Sequence, residues 1–230
     1  MKQIVNYIKE GLKITSKTKV NEKHEYKYFP KSNEELLNLI IKLVDERGND
    51  GDLNDIDVSR ITDMERLFAN SNFNGDISKW DVSNVENMSS MFLKSKFNGD
   101  ISKWDVSNVK RMYCMFNNSK FNGDISEWDV SNVETMQGMF CESKFNGDIS
   151  KWDVSGVKTM SNMFWEAKFN NDISNWDVSN VNIMFNMFCG SKFNKDISKW
   201  KVREDADLDY MFEDTLLEKN PPKWYKDRYN

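Results

Sequence analysis

The sequence predicts an α/β repeat solenoid built from 24-residue rungs, each containing a turn, a short strand and a helix. The first observation behind this prediction is a strict 24-residue recurrence of aromatic residues. Phenylalanine recurs at Phe73, Phe97, Phe121, Phe145, Phe169 and Phe193, and tryptophan recurs at Trp80, Trp104, Trp128, Trp152, Trp176 and Trp200. The second observation is a change in the spacing of hydrophobic residues within each rung. The third is that the residues at both ends of the array depart from the repeated pattern. Self-similarity at this period is typical of a solenoid whose rungs bury their apolar faces against one another.

The rung 97–120 illustrates the three predicted elements. The Asn-Gly pair after Phe97 predicts a turn, because both residues tolerate positive φ. Trp104 and Val106 flank Asp105 with the period of a strand. Ser107 can cap a helix, and one helical face follows it, formed by Val109, Met112, Met115 and Phe116.

Two spacings predict the shape of the stack. Neighbouring strands lie about 4.8 Å apart, whereas neighbouring helices lie about 8–10 Å apart. Stacking both in register predicts a curved, leucine-rich-repeat-like array with the helices outside and the strands inside. The core is predicted to take Phe, Ile, Trp, Val, Val, Met, Met and Phe from each rung, with each indole N–H donating to a carbonyl.

The ends of the array divide the chain into four predicted parts. Residues 32–48 are an N-terminal capping helix with a capping box at Ser32 and Glu35. Residues 49–212 are the repeat solenoid and residues 213–230 a C-terminal cap. Residues 1–31 are a basic N-terminal segment, which is either a docking peptide or an extension of the cap that uses Ile4, Ile8 and Leu12.

Composition excludes several function classes. The chain has one histidine and three cysteines, too few for a disulfide framework or a Cys/His zinc cage. Residues 1–48 carry ten Lys and Arg against seven Asp and Glu, and residues 49–230 carry 22 against 30. The acidic body argues against nucleic-acid binding. We predict no catalytic residue, no cofactor, no metal site and no membrane span, and a cytoplasmic or virion-associated location rather than the cell surface, because no export signal is seen.

The recurrent string Phe97-Asn-Gly-Asp-Ile-Ser-Lys-Trp-Asp-Val-Ser-Asn-Val, with Met112-x-x-Met115-Phe116, resembles the BspA-type repeat family. These are leucine-rich-repeat-like surface proteins found in bacteria, mycoplasmas and some viruses. The resemblance covers roughly residues 50–212. It implies a solenoid used for binding, in several members for adhesion to host proteins, and it implies no catalytic motif.

Positions that differ from rung to rung are the predicted recognition residues, because the fold does not dictate them. Large apolar residues stand where most rungs have polar ones, at Leu93, Tyr113, Trp165, Ile183 and Phe185. Two interpretations stay open. These side chains pack laterally between neighbouring helices, or they form an exposed patch that binds a protein partner.

Two aspartate columns offer a second candidate surface. One column is Asp76, Asp100, Asp124, Asp148, Asp172 and Asp196; the other is Asp81, Asp105, Asp129, Asp153 and Asp177. A calcium ladder is one interpretation of the first column. The favoured interpretation is that its carboxylates accept hydrogen bonds from turn amides. The second column can line the concave face, where it would favour a basic partner.

The expected function is therefore a non-enzymatic, protein-binding repeat scaffold that recognises a partner through an extended solenoid face. The alternative is a structural or virion-associated phage component that its N-terminal segment docks into an assembly. A catalytic pair of aspartates is not expected, since such a pair should be singular and these carboxylates recur in every rung.

Overall fold

The chain winds into coils that stack at the 24-residue interval of the sequence. The computed structural model describes residues 25–229. Six parallel bridges join residues 24 apart, and they form one continuous column: Asp63, Asn87, Arg111, Thr135, Thr159, Ile183 and Asp207. Two further bridges, Tyr28 with Ile56 and Asp52 with Asp76, extend the pairing at the N-terminal end. Each coil therefore lies directly on the one before it.

The predicted fold class is wrong, because the rungs contain neither helices nor strands. In residues 25–229 the regular structure consists of two α-helices, α1 (Asn33–Arg47) and α2 (Lys223–Tyr229), together with isolated bridges that do not form a sheet. The protein is thus not an α/β solenoid whose rungs each contain a turn, a strand and a helix. Without a helical side, the predicted leucine-rich-repeat-like curvature loses its cause. On the side where helices were predicted, the ring centroids of Phe92 and Phe116 are 5.5 Å apart. On the side of the indoles, the ring centroids of Trp80 and Trp104 are 6.4 Å apart.

Tandem tight turns replace each predicted helix. We call the eight-residue segments 64–71, 88–95, 112–119, 136–143, 160–167, 184–191 and 208–215 the turn strip. Within 88–95, the amides of Met91, Leu93 and Ser95 donate to carbonyls three residues back. The alternate amides, such as those of Met88 and Ser90, donate instead to carbonyls of the following coil. Alternate backbone amides of the strip therefore bond within local turns or to the neighbouring coil. The i to i−4 hydrogen bonds of an α-helix are not formed in the turn strip.

Left-handed backbone conformations stop the turn strip from becoming helical. Cys114 and Asn118 have φ of 51°, and equivalent positions repeat this in the other coils, where the residues include Gly138 (64°) and Gly190 (65°). A positive φ at the third residue of a turn is typical of type II turns and is incompatible with a right-handed helix. The turns still bring Met112, Met115 and Phe116 inward, which explains why their spacing imitates a helix.

The predicted core is confirmed. In the coil 97–120 the eight predicted core side chains are all buried, from Phe97 at 0% to Trp104 at 4% exposure. Each indole donates to a carbonyl of the preceding coil, which belongs to Leu53 for Trp80 and to an isoleucine for the later ones. Trp104 Nε1 lies 3.2 Å from Ile77 O and Trp128 Nε1 lies 3.1 Å from Ile101 O. The aromatic rings thus form continuous columns through the stack.

Helix α1 covers the first coil. The Ser32 side chain accepts from the amide of Glu35 at 3.2 Å, as the N-cap of this helix. Leu36, Ile40 and Leu43 are buried against the stack. Asn33 Nδ2 donates to the carbonyls of Asp63 and Glu65. The equivalent carbonyls of later coils accept amides from the coil before them, so α1 takes the place of a preceding coil.

Helix α2 and the segment before it lie against the last coil. Trp224 continues the indole column, with its Nε1 2.9 Å from Ile197 O. Arg228 donates to the carbonyls of Ala206 and Arg203, and Tyr229 donates to Asp209. Of the predicted N-terminal segment 1–31, residues 1–24 lie outside the described residues. The two helices of the described chain lack the length and hydropathy that a membrane-spanning helix needs.

Candidate functional site

The turn strip presents the most varied surface of the stack. Its backbone makes the hydrogen bonds to the next coil, so the outward side chains are not needed for stacking. Residues that face inward, such as Met112 and Phe116, repeat from coil to coil, whereas those facing outward differ. Variation is therefore concentrated on one face. This face contains four of the apolar residues that the sequence singles out, and the fifth, Ile183, directly precedes it in the bridge column.

The structure divides the five predicted apolar residues between two regions. Leu93 is half-buried and Tyr113 is 44% exposed, and both lie towards the N-terminal end of the strip. Ile183 is 41% exposed and Phe185 is half-buried, and both lie in a single coil nearer the C-terminal end. Trp165 is half-buried in the coil before them. The five residues do not form one continuous patch.

A residue that sequence reasoning missed completes the C-terminal region. Tyr210 is 56% exposed, and its ring meets that of Phe185 edge-on, with centroids 5.8 Å apart. We call Ile183, Phe185 and Tyr210 the aromatic patch. Tyr210 occupies a left-handed position, with φ of 58°, where earlier coils have small or polar residues such as Gly138 and Asn162. The only sequence signal for it is a tyrosine in a column that otherwise holds small or polar residues.

The first aspartate column accepts hydrogen bonds from its own coils, as the turn interpretation predicts, and the second column does so as well. Asp100 accepts the amide of Ser102 at 2.9 Å, and the rest of that column does the same. In the second column Asp105 accepts the Ser107 hydroxyl at 2.6 Å and its amide at 3.1 Å. Asp81, Asp105, Asp129, Asp153 and Asp177 are all exposed. They lie along a face that has no demonstrated concavity, since the predicted curvature has lost its basis.

These hydrogen bonds lower the carboxyl pKa values. The Ser102 backbone amide, followed by its hydroxyl, holds the pKa of Asp100 below its usual value. The same arrangement lowers the pKa of Asp124 and Asp148. For Asp105 the Ser107 hydroxyl is the larger cause and its amide the second. The ionised form of each carboxyl is therefore favoured in the folded chain.

The lowered pKa values predict a loss of stability in acid. A carboxyl whose pKa is lowered by folding stabilises the protein above its unfolded pKa of about 3.9, and this contribution disappears as the pH falls through the folded pKa. The thermal midpoint should change little between pH 7 and 5, and it should decrease once the pH is lower than about 4. A D100N/D124N/D148N variant can keep the amide bonds without titrating, so its decline should be shallower.

The control for this prediction removes the same number of charges elsewhere. E127Q/E134Q/E166Q changes three exposed glutamates outside the two columns, and its acid decline should match that of the wild type. The thermal midpoint of each protein would be measured by calorimetry from pH 7 to 2.5. Equal declines of the midpoint in all three proteins would contradict a stabilising role for the first aspartate column.

The remaining polar groups provide little reactive chemistry. Cys114, Cys141 and Cys189 are free thiols. Burial, as the largest cause, raises the pKa of Cys141 to about 12, so this thiol is protonated and unreactive at neutral pH. Across residues 25–229, no three or more His, Cys, Asp or Glu side chains are grouped so that they could hold a metal ion.

The comparisons with known proteins agree with the repeat. A family profile described as "Mycoplasma protein of unknown function, DUF285" matches residues 42–144 and again 117–224. The two matches together span the last six residues of α1, the stacked coils and the start of α2. Neither the curated proteins nor the solved structures that were compared contain a match. Because the profile covers well over half of its length, the chain belongs to the family of Mycoplasma proteins of unknown function, DUF285.

Proposed function

We propose that the protein is a non-enzymatic binding scaffold that recognises a protein partner through its turn strip. The observation that carries this proposal is that backbone hydrogen bonds join the coils within the strip, so that stacking does not depend on most of its outward side chains. The Asn118–Glu142 hydrogen bond between neighbouring coils is an exception. Exposed apolar groups on such a face match the kind of residue that anchors protein interfaces.

The aromatic patch is the proposed centre of the contact. Phe185 and Tyr210 hold each other edge-on, and Ile183 lies two residues from Phe185 in the bridge column. Rigid aromatic side chains cost little conformational entropy on binding, and truncating such an anchor typically reduces affinity by more than tenfold. The half-buried Trp165, in the preceding coil, extends the surface along the strip.

Photo-crosslinking tests this proposal. A benzoylphenylalanine residue introduced at Tyr210 or Ile183 should capture a discrete partner in a lysate of the source cells. The same residue introduced at Asp105, on the aspartate face formed by the second aspartate column, is the matched control and should capture much less. F185A should abolish capture from position 183, whereas Q137A, in the equivalent position of an earlier coil, should not. Equal capture from the strip and from the aspartate face would overturn the proposal.

A further inference from the structure

A row of lysines follows a different face of the stack. The residue before the first phenylalanine of a coil is lysine in five successive coils, and we call these residues the lysine row: Lys96, Lys120, Lys144, Lys168 and Lys192. All five side chains are exposed. The equivalent positions at the two ends are Asn72 and Leu216. The row is therefore a feature of the central coils.

The fold does not require lysine at these positions. Their structural contribution is a backbone one: the amides of Lys96 and Lys120 each donate to a serine carbonyl of the preceding coil at 3.0 Å. Any residue except proline could make that bond. Exposed positions of equal freedom have diverged; the column containing Lys94, for example, continues as Asn118, Glu142 and Glu166. The presence of lysine in five successive coils therefore indicates a role for the side chain rather than for the backbone.

The charges of the row are not neutralised within the described chain. None of the five lysines takes part in an ion pair among residues 25–229. The phenylalanines that directly follow these lysines stack with ring centroids 6.2–6.4 Å apart from coil to coil, so the row carries five like charges over about 25 Å. Like charges at this spacing repel one another, and an external anion would relieve that repulsion.

The nearest aspartate column does not cancel the row. Exposed and buried residues alternate from Lys96 to Phe97 to Asn98, as in extended chain, and four residues of extended chain span about 13 Å. That distance exceeds the screening length of about 8 Å at physiological ionic strength. The aspartates are instead near a second lysine column, since Lys103 and Lys151 both help to lower the pKa of Asp124.

An asparagine ladder runs beside the lysine row. The amide of Asn98 donates to Asn74 Oδ1 at 2.7 Å, and the pattern repeats through Asn122, Asn146, Asn170 and Asn194. This ladder occupies the side-chain oxygens from Asn74 to Asn170 and leaves their NH₂ groups as hydrogen-bond donors. The face thus repeats one positive charge and one neutral donor in every coil.

From this pairing we propose that the lysine row, with the asparagine ladder, binds an anionic polysaccharide along the axis of the stack. A linear chain of sugars carries acidic groups for the lysines and hydroxyl oxygens for the asparagine NH₂ groups. Single-stranded nucleic acid binds through exposed aromatic platforms, and the aromatic residues nearest this face, such as Phe97 and Trp104, are at most 4% exposed. The lysine row directly follows the turn strip but contains none of its residues, and this proposal does not depend on the protein partner of the strip.

Sulfated heparin oligosaccharides of defined length are the probe. The full-length protein should bind them at low ionic strength, more tightly as the oligosaccharide lengthens to cover the row, and should release them as NaCl is raised. K120Q/K144Q/K168Q should weaken binding at least tenfold, measured by isothermal titration calorimetry. Its thermal midpoint should stay at or above that of the wild type, because it loses only repulsion.

The matched control is K103Q/K151Q/K199Q, which removes the same charge from the second lysine column and should weaken binding less than threefold. Equal weakening by the two variants, absence of heparin binding by the wild type, or tighter binding of polyglutamate or a single-stranded oligonucleotide would each overturn the proposal. Photo-crosslinking from Tyr210 should be unchanged in K120Q/K144Q/K168Q, so failure here is distinguishable from failure of the proposed protein contact.

Discussion

Replacing Trp128 with alanine is expected to destabilise the protein by about 3–5 kcal/mol. The indole is 4% exposed, packs near Phe116 and donates to the Ile101 carbonyl at 3.1 Å. Removing it opens a cavity in the middle of the stack and deprives that carbonyl of its donor. For a chain of this size the thermal midpoint should fall by about 6–20 °C, measured by calorimetry or circular dichroism.

Two further variants separate the causes of this loss. W128F keeps most of the apolar volume but loses the N–H donor, so it should cost less than W128A and still exceed the roughly 1 kcal/mol of one hydrogen bond. Y113A, which truncates an exposed aromatic residue on the turn strip, should change stability by no more than about 0.5 kcal/mol. A W128A midpoint equal to that of Y113A would refute the placement of the indole column in the core.

Replacing Leu36 with aspartate is expected to detach α1 from the first coil. Leu36 is fully buried, and an unpaired carboxylate there would cost several kcal/mol. Releasing α1 would also remove Asn33 from the carbonyls of Asp63 and Glu65. The exposed end of the stack should then bind a hydrophobic dye and associate with other molecules, because an open edge is a template for pairing.

Asn38→Asp is the matched control, since it adds the same charge to an exposed position of α1. The N38D protein should have the same molecular mass as the wild type by light scattering, and limited trypsin digestion after Lys42 should be no faster than in the wild type. Rapid cleavage in L36D but not in N38D is the expected result. If both variants keep the molecular mass of the wild type and resist trypsin equally, α1 does not protect the end of the stack.

The core could be predicted from the sequence because burial depends on the period alone. Phe97 and Trp104 recur at a fixed interval, and any stacked arrangement of that interval hides them. The helices could not be predicted correctly, because Met112, Met115 and Phe116 face inward in tandem turns as they would in a helix. The left-handed backbone conformation distinguishes the tandem turns from a helix, and Ser90 and Lys94 adopt it as well as Gly138 and Gly190. Serine and lysine give no warning of it.

The candidate site was predictable only in part for a related reason. Variation between coils identified Ile183 and Phe185, but it could not show which variable columns are neighbours in the turn strip. Tyr210 lies in the next coil at a left-handed position, and its contact with Phe185 depends on turn geometry that the helical interpretation did not contain. The aspartate turns of the first column, in contrast, depend on residues two apart, such as Asp100 and Ser102, and could be predicted locally.

The hydrogen bonds between coils have a further consequence for how the gene can change. Because each turn strip offers the same donors forward and the same acceptors backward, the 24-residue segment is interchangeable with its neighbours. Loss of residues 121–144 would join Lys120 to Phe145, and each ring and amide would meet an equivalent partner. Duplication would likewise lengthen the molecule without new packing. Unequal recombination can therefore adjust the reach of the protein in whole steps, while a change of any other length would break its register.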